Sequence, residues 1–319
     1  MAAETMTAFL FPGQASQFVG MGADLYSHNI PARRLFEEAD EVMGKALTKI
    51  CFEGPIEELT QTAITQPAVF VHSCAVALLL RDHGLAPSHV AGHSLGEYSA
   101  LVAAGAIDFR PALELVRERG RLMRHAGELE VGKMAAIIGM EDDSVKALCM
   151  ELSPNGDVVA ANFNAPGQVV VSGKAAAVEE VARVAPDRGA KRAIELTVSG
   201  AFHSQLMAPA AQEMQSLIAE AEFRTPQVPV ITNVSAESVE DVGQLRQHLI
   251  AQITSPVRWT ETMGYLAGAG VERALEVGPG AVLKGMARRT KPAPEVRTAG
   301  TAEEIPATLA WAQPRGTDG

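Results

Sequence analysis

The sequence predicts an α/β protein, with a mainly parallel sheet flanked by helices and a smaller unit inserted into the chain. Short apolar runs at residues 7–11, 89–92 and 273–277 are typical of buried strands, and helical patterns separate them. The pattern changes near residue 128 and resumes near residue 198. A chain of 319 residues is also too long for one small core, so we expect a large domain that carries a smaller one.

The larger domain is predicted over residues 1–127 and 198–319, where apolar strands alternate with helices. Its predicted elements are a strand over Thr7–Phe11, helices from Ala32 to Arg81 with breaks at Gly54-Pro55 and Gln66-Pro67 and a core helix over Ala68–Leu80, a strand over His89–Gly92, a helix over Glu97–Ala104, a strand over Val228–Thr232, a helix over Val242–Ile253 and a strand over Arg273–Val277. The last 18 residues or so, rich in Ala, Thr, Pro and Gly, are expected to be a surface strap or a frayed tail.

The smaller domain is predicted over residues 128–197, where four strand patterns and two helix patterns follow one another. They are a strand over Lys133–Met140, a helix over Asp142–Leu152, strands over Asp157–Phe163 and Gln168–Ser172, a helix over Ala175–Ala185 and a strand over Lys191–Leu196. The order βαββαβ is that of a ferredoxin-like unit. We therefore expect an insertion of this kind within the larger α/β domain.

Composition excludes several classes of function. The net charge is −11 and no long basic run is present, so we expect no nucleic-acid partner. No apolar run was expected to reach the roughly 18 to 20 residues that span a bilayer, and the N-terminus lacks the features of a secretory signal. A cytoplasmic protein without a membrane partner is therefore expected. Cys51, Cys74 and Cys149 are far apart, which predicts buried free thiols and neither a disulfide nor a metal site.

The pattern Gly92-x-Ser94-x-Gly96, between a predicted strand and a predicted helix, is the signature of a nucleophile elbow. A sharp turn at the serine needs glycines where side chains would collide, and the helix N-terminus behind it favours developing negative charge. The larger domain is accordingly predicted to be hydrolase-like, with Ser94 as nucleophile. The alternative is a tight turn with an incidental serine.

A serine nucleophile needs a base, and His203 is the best candidate among the eight histidines. It lies in a loop of small residues, Ser199–Ser204, just after the inserted unit. His93 adjoins the nucleophile but is expected to point elsewhere. The other histidines, His72 among them, are expected on the surface or on helix faces. From spacing alone, a loop histidine that caps a helix remains the alternative for His203.

Seven motifs occur in an order that resembles a known family. They are Phe11-Pro12-Gly13-Gln14-Ala15-Ser16-Gln17, Gly92-His93-Ser94-Leu95-Gly96-Glu97-Tyr98, Arg119-Gly120-Arg121-Leu122-Met123, Asn164-Ala165-Pro166-Gly167-Gln168, Ala201-Phe202-His203-Ser204, Pro256-Val257-Arg258-Trp259 and Glu276-Val277-Gly278-Pro279-Gly280. Together they resemble the malonyl-CoA:acyl carrier protein transacylases of fatty acid synthesis and the acyltransferase domains of polyketide synthases, over residues 7 to 290. The resemblance implies transfer of malonyl from malonyl-CoA to an acyl carrier protein, by a monomer that needs no cofactor.

The resemblance also implies roles for individual residues. Ser94 would be acylated with His203 as base, and the histidine's other nitrogen would be held by a backbone carbonyl at Gln252. The N–H groups of Gln14 and Leu95 would bind the oxyanion.

Recognition of the acyl group follows from the same resemblance. Arg119 would bind the free malonyl carboxylate, since a guanidinium meets a carboxylate bidentately. Without the resemblance, Arg119 reads as part of a solvated helix face. Phe202 and Leu95 resemble malonyl-selective members of the family, so we expect malonyl to be preferred over methylmalonyl.

Ala15 departs from the family pattern, which commonly has glycine there. If that backbone needs a positive φ, alanine strains it by roughly 1 to 3 kcal/mol.

Other functions stay open at this stage. A hydrolase on the same scaffold explains Ser94 and His203 but leaves Arg119 without a purpose, and a catalytically silent interaction module explains none of them. The pathway, fatty acid or polyketide, is not determined by the sequence. Two basic clusters are candidates for carrier docking, with solvated charges as the simpler interpretation: Lys284, Arg288, Arg289 and Lys291, and the arginines after Gly120.

Overall fold

The chain folds around two β-sheets in a computed structural model that describes residues 6–312. The strands of this part of the chain are β1 (Thr7–Phe11), β2 (His89–Gly92), β3 (Gly132–Ile138), β4 (Val158–Ala165), β5 (Gln168–Lys174), β6 (Arg192–Glu195), β7 (Val230–Ile231), β8 (Ser238–Val239), β9 (Arg273–Val277) and β10 (Glu295–Ala299). The predictions for β1, β2 and β9 are confirmed to the residue. The sequence reasoning missed β8, which has two residues, and β10.

Helices cover both sheets. They are α1 (Ala23–His28), α2 (Ile30–Met43), α3 (Leu47–Glu53), α4 (Ile56–Leu59), α5 (Thr62–Asp82), α6 (Gly96–Ala103), α7 (Phe109–Leu129), α8 (Asp142–Leu152), α9 (Ala175–Val184), α10 (Ala208–Glu220), α11 (Val242–Gln252), α12 (Trp259–Gly268), α13 (Val282–Ala287) and α14 (Glu304–Ala312), with short 3-10 turns at Ala185–Arg188 and Gln205–Met207.

The larger sheet has the order β10-β9-β1-β2-β7-β8, and its pairs are parallel except for β7 with β8. All five residues of β1 are buried, as expected for a parallel strand with helices on both faces. Phe11 pairs with Gly92, so the carboxyl ends of β1 and β2 lie side by side. Ligands of such sheets bind at this edge, and both predicted oxyanion residues follow it. The prediction of a mixed α/β fold with a parallel sheet and flanking helices is confirmed.

The smaller sheet is antiparallel, with the order β4-β5-β3-β6. Alternate residues of β3 face opposite ways: Ala135 and Ile137 pack against the unit's own helices, whereas Met134 and Ala136 join the core of the larger sheet. Two backbone hydrogen bonds join β4 to the larger unit, from Phe163 N to Val257 O (2.9 Å) and from Val257 N to Ala161 O (2.8 Å). One face of the small sheet is therefore held against the region of the predicted active site.

The predicted break at Gln66-Pro67 is wrong, because α5 continues through Pro67. Sixteen of its residues are buried, and this packing offsets the hydrogen bond that proline removes. The expectation that no segment is long and apolar enough to cross a bilayer also needs correction. By length and mean hydropathy (1.7) α5 passes that test, and 89% of its most apolar window is buried inside the fold.

The predicted strap or tail is also wrong over residues 304–312, which form α14. Pro306 lies in the first turn, where no backbone donor is needed. The helix is held by Arg273, which donates to Trp311 O at 2.7 Å, and by Arg297, which lies 4.5 Å from the Trp311 ring centroid. The remainder of the predicted tail, residues 313–319, lies outside the described residues.

The three cysteines are free and buried, which confirms that prediction. Burial raises the pKa of both Cys51 and Cys149 to about 12, so these thiols are protonated at neutral pH.

Candidate active site

Ser94 lies in the turn between β2 and α6, with φ 50° in the left-handed region. The turn is so tight that a Cβ on Gly92 would lie 1.9 Å from Gly96 O, and a Cβ on Gly96 would lie 2.1 Å from Phe11 O. This is the geometry that the Gly-x-Ser-x-Gly pattern predicts. A non-glycine residue held at such a φ costs about 1 to 3 kcal/mol, so the surrounding contacts must stabilise the turn.

Asn233 and Gln252 supply those contacts. Ser94 N donates to Asn233 Oδ1 at 2.7 Å, and Asn233 Nδ2 donates to Gly92 O at 2.6 Å. Gln252 Nε2 donates to Ser94 O at 3.0 Å. The backbone on both sides of the serine is therefore clamped by side chains from distant parts of the chain.

His203 lies against the serine, with Nε2 2.8 Å from Ser94 Oγ and Nδ1 2.8 Å from Gln252 O. A carbonyl oxygen only accepts hydrogen bonds, so Nδ1 carries the proton and Nε2 can accept from the hydroxyl. Burial, and then the nearby Arg119 charge, lower the pKa of His203 to about 3. The imidazole is therefore neutral at neutral pH, as a general base must be before it acts.

Arg119 is almost completely buried, at 1% exposure, and this excludes the solvated helix face that its sequence pattern alone favoured. Its Nη1 donates to Gln66 Oε1 at 2.6 Å, and its Nη2 donates to Gln252 Oε1 (2.9 Å) and to Ser94 Oγ (3.1 Å). All of these partners are neutral, and Nε has no partner within residues 6–312. A buried guanidinium without an ion-pair partner is unfavourable unless an anion binds it.

A cavity of about 260 Å³ opens above these groups. Its lining includes Gln14 and Leu95, whose backbone N–H groups have no hydrogen-bond partner in the described part of the chain. Phe202 also lines it and is 7% exposed. The small sheet contributes a wall that includes Met134, Asn162, Asn164 and Val170. All predicted site residues except Gln252 thus line one cavity, and Gln252 is fully buried next to it, bonded to His203 and Arg119.

Ala15 has φ 82°, in the region that favours glycine. The alanine that replaces the family's common glycine therefore strains the backbone here. Its N–H donates to Gln17 Oε1 at 2.8 Å, and Ser16 Oγ donates to Gly13 O at 2.7 Å, which hold the loop in this shape.

His93 points away from Ser94 Oγ, as predicted: its Nε2 lies 2.8 Å from Asn164 Oδ1 and its ring centroid lies 5.5 Å from that of Trp259. His72, expected on the surface or a helix face, lies on α5 and is fully buried.

Sequence reasoning missed Asn233, Gln66 and the role of Glu97 in the site. Glu97 stands in the quoted elbow motif, which was the one available signal. Asn233 follows the carboxyl end of β7, an edge where parallel sheets place functional side chains. Gln66 lies within α5 and carries no local signal.

Comparison with known proteins places the chain in a family. A family model described as acyl transferase domain matches residues 8–307. The malonyl CoA-acyl carrier protein transacylase of Bacillus subtilis (strain 168) is 46% identical over 283 residues, which cover 88% of this chain and 89% of the relative. The same-named protein of Escherichia coli (strain K12) is 44% identical over 89% of this chain and 93% of the relative.

Similar solved structures have names of the same kind as these relatives. An acyl carrier protein S-malonyltransferase from Vibrio cholerae has a TM-score of 0.92 and 43% identity, covering 95% of this chain and 100% of that one. A malonyl-transacylase in complex with its type II PKS acyl-carrier protein also has a TM-score of 0.92, with 40% identity over 96% of this chain and 99% of that one. The chain belongs to the acyl transferase domain family and is an acyltransferase.

Proposed function

We propose that this enzyme transfers a malonyl group from malonyl-CoA to the phosphopantetheine thiol of an acyl carrier protein, through a malonyl ester on Ser94. The observation that carries the proposal is the buried Arg119 guanidinium, which lies 3.1 Å from the nucleophilic oxygen and has only neutral partners. A free carboxylate on the acyl group would supply a negatively charged partner in direct contact with the guanidinium. The names of the relatives, and a structural neighbour bound to its carrier protein, support the same substrates for this chain.

The proposed reaction has two half-reactions. In the first, His203 Nε2 accepts the Ser94 Oγ proton while Oγ attacks the thioester carbonyl; the C–S bond then breaks and the imidazolium returns the proton to the departing thiolate. In the second, Nε2 deprotonates the carrier thiol, which attacks the ester carbonyl, and Ser94 Oγ leaves and regains the proton. The N–H groups of Gln14 and Leu95 bind the oxyanion in both.

The Arg119 charge opposes protonation of His203 in the absence of substrate. A malonyl carboxylate on the guanidinium offsets this charge, so that the imidazolium forms more easily when the correct acyl group is bound. The contact between Arg119 and the carboxylate therefore binds the substrate and also makes proton transfer to His203 more favourable. Phe202, on the cavity wall, would crowd an α-methyl branch, and one methyl group is worth about 1 to 3 kcal/mol of discrimination.

Carrier docking is proposed at α13. Lys284 on this helix and Arg288 directly after it line a surface cavity, whereas Val282 and Met286 of the helix line the active-site cavity. A cationic surface close to the cavity suits an acidic carrier. The arginines after Gly120 fit less well, because Arg121 and Arg124 are paired with Glu118 and Glu128.

We further propose the division into a larger domain, residues 1–127 and 198–319, and a ferredoxin-like unit over 128–197, which the order β4-β5-β3-β6 with helices α8 and α9 supports. The monomeric state, the cytoplasmic location and the lack of nucleic-acid and membrane partners stay predictions from composition and resemblance.

The test of the malonyl proposal is Arg119→Ala, assayed with malonyl-CoA and acetyl-CoA. We expect malonyl transfer to fall by at least about 100-fold, since a hydrogen-bonded charge pair is worth roughly 3 to 5 kcal/mol, while acetyl transfer is retained or increases. Arg110→Ala, on the exposed face of the same helix, is the matched control and should change neither rate. Equal losses for both acyl groups would contradict a carboxylate clamp.

A hydrolase remains the second candidate because Ser94 and His203 suit it equally well. It predicts rapid release of malonate from malonyl-CoA without any carrier protein. The transferase predicts slow release, and rapid loss of malonyl from the enzyme only when a carrier thiol is added.

A further inference from the structure

Glu97 is a buried carboxylate that the reaction described above does not use. It lies on α6, three residues after the nucleophile, and is 1% exposed. Its Oε2 accepts two hydrogen bonds, from Gln252 Nε2 and from Asn233 N, both at 2.9 Å. Both donors belong to the two residues that clamp the backbone of Ser94.

The side-chain amide of Gln252 joins Glu97 to Arg119. Its Oε1 accepts from Arg119 Nη2 at 2.9 Å, and its Nε2 donates to Glu97 Oε2. The reverse orientation would set the NH₂ group against the guanidinium and the oxygen against the carboxylate, so the two charges together select one orientation. The backbone oxygen of the same residue holds His203 Nδ1. Glu97 thus acts on the arginine, and through Asn233 on the serine, without lying at the reacting atoms.

The balance of buried charge changes when a substrate carboxylate arrives. In the free enzyme one buried cation, Arg119, faces one carboxylate across Gln252. A carboxylate on the guanidinium would place two anions beside one cation where few water molecules can screen them.

The other titratable groups of this network cannot take up a proton easily. Tyr98, on the same helix and beneath the Arg119 guanidinium, is already neutral, because burial raises its pKa to about 12. Protonation of His203 is opposed mainly by burial, which remains when a carboxylate offsets the Arg119 charge. Burial, opposed in part by its hydrogen bonds and by Arg119, already raises the pKa of Glu97 from 4.5 to about 7.

We propose that Glu97 is a positioning residue that orients the Gln252 amide against Arg119, and that its carboxylate takes up a proton when a substrate carboxylate binds to Arg119. This inference rests on the proposed role of Arg119. It makes the recognition of a carboxylated acyl group dependent on pH near neutrality, whereas an uncharged acyl group leaves the charge balance of the site unchanged.

Proton uptake can be measured by titration calorimetry on Ser94→Ala protein, which binds malonyl-CoA but cannot be acylated. Binding at pH 7 is measured in two buffers that differ in ionisation enthalpy. We expect uptake of about half a proton per site with malonyl-CoA, because Glu97 is half ionised at its pKa, and none with acetyl-CoA. Adding Glu97→Gln should abolish the uptake while malonyl-CoA still binds. Unchanged uptake in that double variant would overturn the inference.

A second measurement needs no substitution at Glu97. In the unaltered enzyme, KM for malonyl-CoA should rise above pH 7, by up to about tenfold per pH unit for one linked proton, while KM for acetyl-CoA changes little. A flat malonyl profile would also overturn the inference. If the proposed role of Arg119 is wrong, the result is a different one: Arg119→Ala binds malonyl-CoA as tightly as the parent does, whatever the pH.

Discussion

The two sheets surround one cavity, but they differ in how particular polar groups near it are held. At the carboxyl end of the larger sheet, the N–H and C=O of Ser94 and the C=O of Gly92 are all bound by side chains. In the smaller sheet, Asn162 Oδ1 and Ser172 Oγ are buried without a partner among the described residues. Backbone strain is divided in the same way: Ser94 and His203 have positive φ, whereas no non-glycine residue between 128 and 197 does.

This difference indicates that strain is tolerated where hydrogen bonds determine the backbone from several directions. The larger sheet holds Ser94 and His203, the proposed nucleophile and base, in one geometry. The smaller sheet presents a mainly regular wall that can shape the bound thioester without holding reactive groups. Substitutions in the two regions should therefore have different consequences.

The largest expected effect is that of Ser94→Ala. Loss of the nucleophile should lower the rate of malonyl transfer by at least about 10⁴-fold and abolish the malonyl-enzyme adduct seen by intact-protein mass spectrometry. Ser172→Ala is the matched control in the smaller sheet, since that hydroxyl is fully buried and unpaired. It should leave the adduct intact. An adduct that persisted in Ser94→Ala would remove the proposed mechanism.

The next largest effect should be a loss of stability at acid pH. The pKa of His203 is lowered from 6.5 to about 3 and that of His72 to about 4, both mainly by burial. A neutral buried histidine opposes protonation, so the free energy of unfolding should fall as the pH drops from 6.5 towards 3, by up to about 5 kcal/mol for His203. Residues 132–195 contain no histidine, so hydrogen exchange should report this loss at the larger sheet first. In His203→Gln the free energy of unfolding should fall less steeply between pH 6.5 and 3.

Glu97 should make stability depend on pH in the opposite direction. Because its pKa is raised from 4.5 to about 7, its contribution to stability is complete below pH 4.5 and is lost as the pH rises through 7. The loss amounts to about 3 kcal/mol, since one pKa unit corresponds to 1.36 kcal/mol. Chemical denaturation of Glu97→Gln between pH 5 and 8 should show a flatter pH dependence than the parent. Parallel curves would contradict this pKa.

Asn233→Ala should destabilise the protein by about 2 to 4 kcal/mol, because it leaves the buried Gly92 C=O and the partly buried Ser94 N–H without their partner. Asn162→Ala, by contrast, removes an amide whose buried oxygen has no partner, and should change the free energy of unfolding by less than about 1 kcal/mol. Urea denaturation of both variants measures the difference. Equal losses would show that the pairing of polar groups does not distinguish the two regions.

The smallest effect is expected at Ala15, which is held at φ 82°. Ala15→Gly should stabilise the protein by about 1 kcal/mol by relieving this strain. Ala182→Gly, inside α9 of the smaller unit, should destabilise it by a similar amount, since glycine is unfavourable in a helix interior. The opposite signs are the test, and a loss of stability at both positions would contradict strain at Ala15.

Local patterns determined much of this molecule from sequence alone. The strands β1, β2 and β9, the helix α8 and the elbow depend on residues close together in the chain, so their signals are periodicity, glycine spacing and turn residues. The same reasoning failed at Pro67 and in α14, where packing between distant segments outweighs local preference. It also read Arg119 as a solvated charge, and only the resemblance assigned it to the substrate.

The environment of those residues depends on contacts between distant segments of the chain. Ser94, Arg119, His203, Asn233 and Gln252 come from five segments, and neither the clamp on the elbow nor the bridge from Glu97 to Arg119 has a local signal. Burial then set the chemistry, because the same imidazole or carboxyl group titrates differently once water is excluded. Residue type and local pattern therefore specify which residues can react, and the packing of distant segments specifies in which charge state and geometry they meet.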